Sequence, residues 1–283
     1  MDHIQISELS ALIYKNLNSN FSSRKKENII NKYFSIYFNL SNKDIILNKN
    51  ISWANSDLVK LKNQINKINK GVPIQYVFEK EFFYNYLFTV DNTVLIPRPE
   101  TEELVSKILK REKHSSNLKI LEVGSGSGCI SITLKKELLN PSIIALDISK
   151  EATKITKNNA RLLEADISVN CVDFFDYNTS KNFDIIISNP PYIPIKDKNL
   201  VDKSVLQYEP KNAFFVKNDP LIYYKKILKF SLSHLTQHGR IYFEINSLYK
   251  DDFEKYLKSY FSNFEYNFFK DMQGKYRFLF LKF

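Results

Sequence analysis

From residue 118 onward, short apolar runs alternate with longer stretches of helical periodicity. That alternation restricts the chain to an α/β fold whose mostly parallel sheet is covered on both faces. The pattern predicts strands over 118–123, 142–146, 167–172, 184–188 and 240–245, with helices over 129–139, 150–164, 219–237 and 248–261. Two further strands, 264–269 and 276–281, are separated only by Asp271–Lys275, a link short enough for antiparallel pairing. In such open sheets, ligands bind beyond the carboxyl ends of the strands, so the residues that follow each strand are the ones to read.

The first strand runs into Glu122-Val123-Gly124-Ser125-Gly126-Ser127-Gly128. Glycines between a strand and a helix let the backbone turn sharply and approach a ligand, and the helix start offers N–H groups. A dinucleotide-binding G-x-G-x-x-G needs glycine at 129, where Cys129 stands. The spacing G-x-G-x-G preceded by an acid suits S-adenosylmethionine better. The second strand ends at Asp147, 21 positions after Gly126, where nucleotide-binding folds place a carboxylate for ribose hydroxyls. Asp173-Phe174 follows the third strand and offers a carboxylate and an apolar ring to an adenine.

The fourth strand stops at Ser188-Asn189-Pro190-Pro191-Tyr192. Two prolines cannot continue a central strand, because each lacks an N–H and has a fixed φ. Asn189 brings a side-chain carbonyl, Pro190 a backbone carbonyl, and Tyr192 a flat ring. Two acceptors and a face suit a planar group bearing NH2, an amide or an amino-purine. Strand ends favour turn residues in any case, but glycines, acid, acid–aromatic and Asn-Pro-Pro-Tyr in order along one edge are more than turns require.

Other chemistries have little support. Cys129 and Cys171 are the only cysteines, and His3, His114, His234 and His238 are scattered, so neither a disulfide framework nor a metal site is expected. No signal peptide or membrane-length apolar run is present, which points to a cytoplasmic protein without a membrane partner. The net charge of 41 − 31 = +10 is diffuse along the chain and does not by itself define a nucleic-acid footprint.

Residues 1–70 carry helical stripes (Leu9, Leu12, Ile13; Ile29, Ile30, Phe34; Leu58, Leu61, Ile65) and no catalytic motif; they read as a small helical recognition domain. Residues 71–96 read as a linker with a β-hairpin: a turn-prone 71–76, an aromatic strand 82–90, a turn at Asp91-Asn92 and a strand 93–96. Pro97-Arg98-Pro99-Glu100-Thr101-Glu102 then fits a helix start and opens a domain over 97–283. Arg98, held between prolines, is left to contact a substrate.

With these motifs in place, the chain resembles a class I S-adenosylmethionine-dependent methyltransferase. It is most similar to the HemK/PrmC family, which methylates a glutamine of peptide-chain release factors. The resemblance rests on Leu95–Glu102, Leu121–Ile130, Asn189–Pro194, Tyr208-Glu209-Pro210 and Asp271–Arg277. It implies a Rossmann-like, mostly parallel seven-stranded sheet and S-adenosylmethionine as cofactor. It implies that Gly124, Ser125, Gly126, Ser127 and Gly128 line the methionine and ribose parts, Asp147 the ribose, and Phe174 the adenine, with Asn189 next to the donor. Asn189 and Pro190 would accept hydrogen bonds from the glutamine NH2, and Pro191 and Tyr192 would pack against it. The implied partner is a release factor, with no stable nucleic acid. The same Asn-Pro-Pro-Tyr also serves a ribosomal-protein glutamine methyltransferase or an adenine N6 methyltransferase. The chain departs from the family pattern at Glu79, Asn218 and Asn246, near or at positions where the family carries glycine.

Overall fold

The computed structural model describes residues 2–282 and divides into two compact units, Met1–Lys80 and Glu81–Phe283. The larger unit is built on the run Phe183–Ser188. Ile185, Ile186 and Ile187 are all fully buried, because the strand is sandwiched between two apolar clusters. Ile185 and Ile187 point into one cluster and Ile186 into the other, as the two-residue period of a strand requires. Burying each such side chain contributes about 1.5–3 kcal/mol.

Seven strands form one sheet in the order Ser168–Cys171, Ser142–Asp147, Lys119–Val123, Phe183–Ser188, Leu235–Glu244, Tyr276–Lys282, Glu265–Lys270. The first five are parallel; Tyr276–Lys282 runs antiparallel to both its neighbours. This is the mostly parallel seven-stranded sheet that the sequence predicts. The order reverses between Lys119–Val123 and Phe183–Ser188. Their loops therefore diverge and leave a crevice at the carboxyl edge.

Helices Pro99–Arg111, Cys129–Glu137, Lys150–Leu162, Ile222–His234 and Lys250–Tyr260 cover the faces. Pro99 begins its helix with Glu100 and Glu102 in the first turn, the arrangement the dipole favours. The helix expected over 219–237 is shorter at both ends. Asp219 Oδ1 accepts from the Leu221 backbone N–H at 2.9 Å in a turn before it. At the other end, Leu235 already pairs with Phe183, so sheet formation overrides local helical periodicity.

The hairpin also differs from expectation. Its strands are Lys80–Phe83 and Tyr86–Thr89, and the turn lies at Tyr84-Asn85, with Tyr84 at φ +57°. Asp91-Asn92 instead makes a separate side-chain-capped turn, Asp91 Oδ1 accepting from the Thr93 N–H at 2.9 Å. Residues 93–96 form no strand. Phe83 and Phe88 are fully buried in the core of the larger unit.

The smaller unit holds helices Ile6–Asn16, Ser23–Phe38, Asn42–Ile46, Asn55–Asn69 and Ile74–Phe78, plus an antiparallel pair, Asp2–Gln5 with Asn50–Trp53. Leu9, Ile13, Ile29, Phe34, Leu61, Ile65 and Trp53 share one core. The strand pair escapes sequence reading because each strand has four residues. Ile74–Phe78 is a helix where a turn is expected, and Glu79 ends it at φ +57°. Glu79 thus occupies, at a cost, a conformation that glycine adopts freely. Asn246 needs no glycine: at φ −83° it accepts from the Leu248 N–H.

Gly128 tests the packing of the central helices. It adopts φ +81°, and a Cβ there would lie 2.8 Å from Thr156 Cγ2 and 2.9 Å from Ile132 Cδ1. Gly128→Ala should lower unfolding free energy by about 2–5 kcal/mol, summing left-handed strain and overpacking. Gly274→Ala, at φ +82° with open space around it, should cost only about 1–2 kcal/mol. Urea denaturation of both variants checks the difference.

Candidate active site

The crevice begins with the glycine loop. Gly124, Gly126 and Gly128 all have positive φ. The Gly124 and Ser125 N–H groups donate to Leu146 O at 2.8 and 2.9 Å, and the Gly126 N–H donates to Asp147 Oδ2 at 2.8 Å. The loop is therefore fastened to the end of the neighbouring strand. A Cβ on Gly124 or Gly126 would meet no atom within 4 Å, since both border open space. That space is a cavity of about 1040 Å³, including its solvent-open mouth.

Glu122, Gly124, Ser125, Gly126 and Ser127 line the cavity, together with Asp147, Phe174, Asn189, Pro190 and Pro191. Gly128 does not line it; its lack of a side chain lets helix Lys150–Leu162 approach. Asp147 also accepts from the Ser149 N–H at 2.9 Å, and burial raises its pKa against those backbone donors. Phe174 is buried, its ring edge-on to Phe230 at 5.2 Å.

Glu122 is fully buried. Its Oε2 accepts from the Ser131 N–H at 3.1 Å and from the Ser131 hydroxyl. Its Oε1 has no hydrogen-bond partner among the described residues. Burial pushes this carboxyl up to about 8. An unpartnered carboxylate oxygen in a buried site is costly unless a donor arrives. Sequence reading noted this acid without assigning it to the site; a charged residue inside the buried run Lys119–Val123 was the available signal.

Asn189 also lines a second, smaller cavity of about 320 Å³, together with Leu95, Arg98, Tyr192, Ala213, Phe214 and Glu244. The two cavities share Leu95, Arg98, Asn189 and Ala213 in their walls. Its Nδ2 donates to Thr101 Oγ1 at 3.2 Å, and Thr101 Oγ1 donates to Glu244 Oε2 at 2.7 Å. Burial, reinforced by Glu244, holds the Tyr192 phenol well above its usual range, and the nearby Arg277 opposes this, so it stays protonated. Burial pushes Glu244 up to about 7. Arg98 is committed to structure as well: Nη2 donates to Glu209 Oε1 at 2.5 Å, while Glu209 Oε2 accepts from the Ile96 N–H at 3.3 Å. Thr101 and Glu244 went unread in the sequence, although a glutamate inside Phe243-Glu244-Ile245 marks a buried charge.

Comparison with known proteins bears on this geometry. The Methyltransferase small domain family matches residues 100–208. A release factor glutamine methyltransferase of Flavobacterium psychrophilum is 38% identical over 86% of this chain and 87% of its own. The chain belongs to the release factor glutamine methyltransferase family. A member from Lactococcus lactis is 42% identical over 70% of this chain and 76% of its own. Among solved structures, a methyltransferase from Pyrococcus furiosus superimposes with TM-score 0.51 at 14% identity, covering 81% of this chain and 98% of its own. The hMettl16 catalytic domain, solved with a MAT2A 3′UTR hairpin, gives TM-score 0.56 at 12% identity over 90% of each chain. These two share the class I methyltransferase fold. Among the described residues, no helix is long and apolar enough to cross a membrane.

The raised carboxyls carry a sign. A carboxyl with a higher pKa folded than unfolded binds its proton more tightly in the folded state. Stability is then highest below the ordinary carboxylate range and falls as pH rises. With Glu122 at about 8 and Glu244 at about 7, the donor-free protein should lose stability between pH 5 and pH 8. Urea melts of Glu122→Gln should show a shallower loss across that window; an unchanged slope would contradict the assignment.

Proposed function

We propose that this chain, acting in the cytoplasm, transfers a methyl group from S-adenosylmethionine to the side-chain amide nitrogen of a glutamine in a peptide-chain release factor, within its Gly-Gly-Gln motif. The observation that carries the reading is that Asn189 stands in the walls of two cavities, a large one lined by glycines and acids and a small one lined by Tyr192.

The residues of the large cavity fit such a donor. The unpartnered Glu122 Oε1 suits an ammonium group. Asp147 suits vicinal hydroxyls, and Phe174 gives an apolar wall to a purine. Gly124 and Gly126 keep backbone close to the ligand. When bound, the donor supplies a methyl group carried on a positively charged sulfur.

The amide would sit beside Asn189, where the walls of the two cavities join, with Pro190 and Pro191 from the large one and Tyr192 from the small one. An amide nitrogen is a weak nucleophile because its lone pair is delocalised into the carbonyl. The Asn189 carbonyl and the Pro190 backbone carbonyl would accept its two N–H groups, turning the nitrogen toward the methyl. As that lone pair forms the new bond, the nitrogen gains positive charge, and the same two acceptors stabilise it. Positioning and electrostatic preorganisation thus come from one arrangement. Tyr192 and Pro191 would pack on the amide plane. The chain needs no base before transfer, since the nitrogen's proton becomes acidic only once the methyl is on.

Labelled methyl transfer tests this directly, with purified release factor beside duplex DNA and a ribosomal-protein extract. Label should appear on one release-factor glutamine, and Asn189→Ala should lower kcat by about 100–1000-fold, the usual cost of losing one preorganised polar partner. Label on DNA adenine or on a ribosomal protein instead would overturn the reading.

A further inference from the structure

Asn189 is useful as an acceptor only if its carboxamide points the right way. Rotated by half a turn, it would offer NH2 where a carbonyl is required. The structure contains a device in the cavity walls that settles the orientation: Thr101 lines the large cavity and Glu244 the small one. Thr101 is buried in the first turn of helix Pro99–Arg111, and Glu244 is buried at the end of strand Leu235–Glu244. That strand pairs in parallel with Phe183–Ser188, Phe243 lying opposite Ser188, so Glu244 and Asn189 leave adjacent strands at one level. The Glu244 backbone is pinned by Tyr224, whose hydroxyl donates to its carbonyl at 2.8 Å.

The order of hydrogen bonds follows from proton counting. In its ionised form Glu244 only accepts, and a threonine hydroxyl has one proton. Thr101 spends that proton on Glu244 Oε2 at 2.7 Å. Toward Asn189 it therefore has only lone pairs to offer, and these accept from Nδ2 at 3.2 Å. The Asn189 carbonyl oxygen is left turned from Thr101, and makes no hydrogen bond within the described residues.

We propose that Thr101 and Glu244 are positioning residues that fix the polarity of the Asn189 carboxamide, leaving its oxygen for the substrate amide. The proposal rests on the methyl-transfer reading above. The burial of Glu244 supports it: a buried carboxyl in the wall of the small cavity, with Thr101 as its hydrogen-bond donor, costs stability, and an apolar residue would serve the fold better. The glutamate is explained if the hydroxyl in front of it must be made an acceptor.

Three variants test it: Thr101→Val, which keeps shape and removes the hydroxyl, Thr101→Ser, which restores it, and Glu244→Leu. Thr101→Val should lower kcat for release-factor methylation by about 100-fold, a typical cost of misplacing a reacting group. The KM for release factor and the Kd for S-adenosylhomocysteine should stay within about threefold of wild type on the same positioning argument. Thr101→Ser should recover most of kcat, and Glu244→Leu should resemble Thr101→Val. An independent readout needs no turnover: the Asn189 side-chain NH2 resonances, assigned by their loss in Asn189→Asp. Their exchange with solvent should be slow in wild type and Thr101→Ser, and fast in Thr101→Val. Unchanged kcat in Thr101→Val, a parallel loss of S-adenosylhomocysteine binding, or NH2 exchange indifferent to the substitution would each overturn the proposal. If wild type labels no release factor, the function reading fails alone, and the NH2 exchange still decides whether Thr101 orients Asn189.

Discussion

Everything at the carboxyl edge depends on the register of Lys119–Val123 between its two neighbours. Val123 lies opposite Leu146 on one side and Ser188 on the other, so three strands end at one level. The ends are then tied together: Ser188 Oγ donates to Val123 O at 2.7 Å, and the Gly124 and Ser125 N–H groups reach across to Leu146 O. Because both faces of this strand are buried, a slip of one residue would drive Glu122 into the opposite core cluster. The register is therefore fixed by the same apolar burial that builds the core, and the glycine loop and Asn189 are placed as its consequence.

On that frame stand three acids, Glu122, Asp147 and Glu244, each with its carboxyl pushed up by burial. Burying them opposes stability, and their few hydrogen bonds offset only part of the cost. The positive charges nearby have partners: Arg98, which lines both cavities, is paired to Glu209, and Arg277 to Asp271 at 3.3 Å. Both arginines favour the ionised form of Glu244 from a distance while burial opposes it more strongly. Acceptors thus line the cavities, while the nearest cations are held by partners of their own. Such a site attracts N–H donors, cationic or amide, and its negative charge costs least when one is bound.

How much of this the sequence disclosed follows from where the information lies. The sheet was legible because buried parallel strands such as Asp184–Ser188 are continuous apolar runs, and their breakers, Gly124 to Gly128 and Pro190-Pro191, lie beside them. The cavity-lining residues Asp147, Phe174 and Asn189 were legible because strand ends in an α/β chain converge on one edge. Tertiary detail was not. Tyr84 takes the hairpin turn although Asp91-Asn92 looks the better candidate, since Phe83 and Phe88 must both reach the core. Leu235 leaves its helix for the sheet because Phe183 offers a partner. Thr101 and Glu244 are 143 residues apart, and only the fold brings hydroxyl to carboxylate. Gly128 shows the converse: its motif was legible, but its positive φ and missing side chain serve helix packing, and it lies outside the cavity lining.

The loop between residues 193 and 216 completes the small cavity and constrains what can enter it. It leaves the sheet after Pro190-Pro191 and is closed at its base by a two-residue parallel pair, Ile193–Pro194 with Phe215–Val216. Between these lie a short 3-10 turn, Ile195–Leu200, and a six-residue helix, Lys203–Tyr208. Much of the segment is spent on fastening itself: Asp197 accepts from the Tyr249 hydroxyl, and Glu209 holds Arg98 and Ile96 N. It leaves Ile195 and Leu200 exposed at 53% and 72% beside Lys196 and Lys198. The bonds that hold the loop also fix Ala213 and Phe214 in the wall of the small cavity, so the shape of that wall depends on the same Glu209 that holds Arg98.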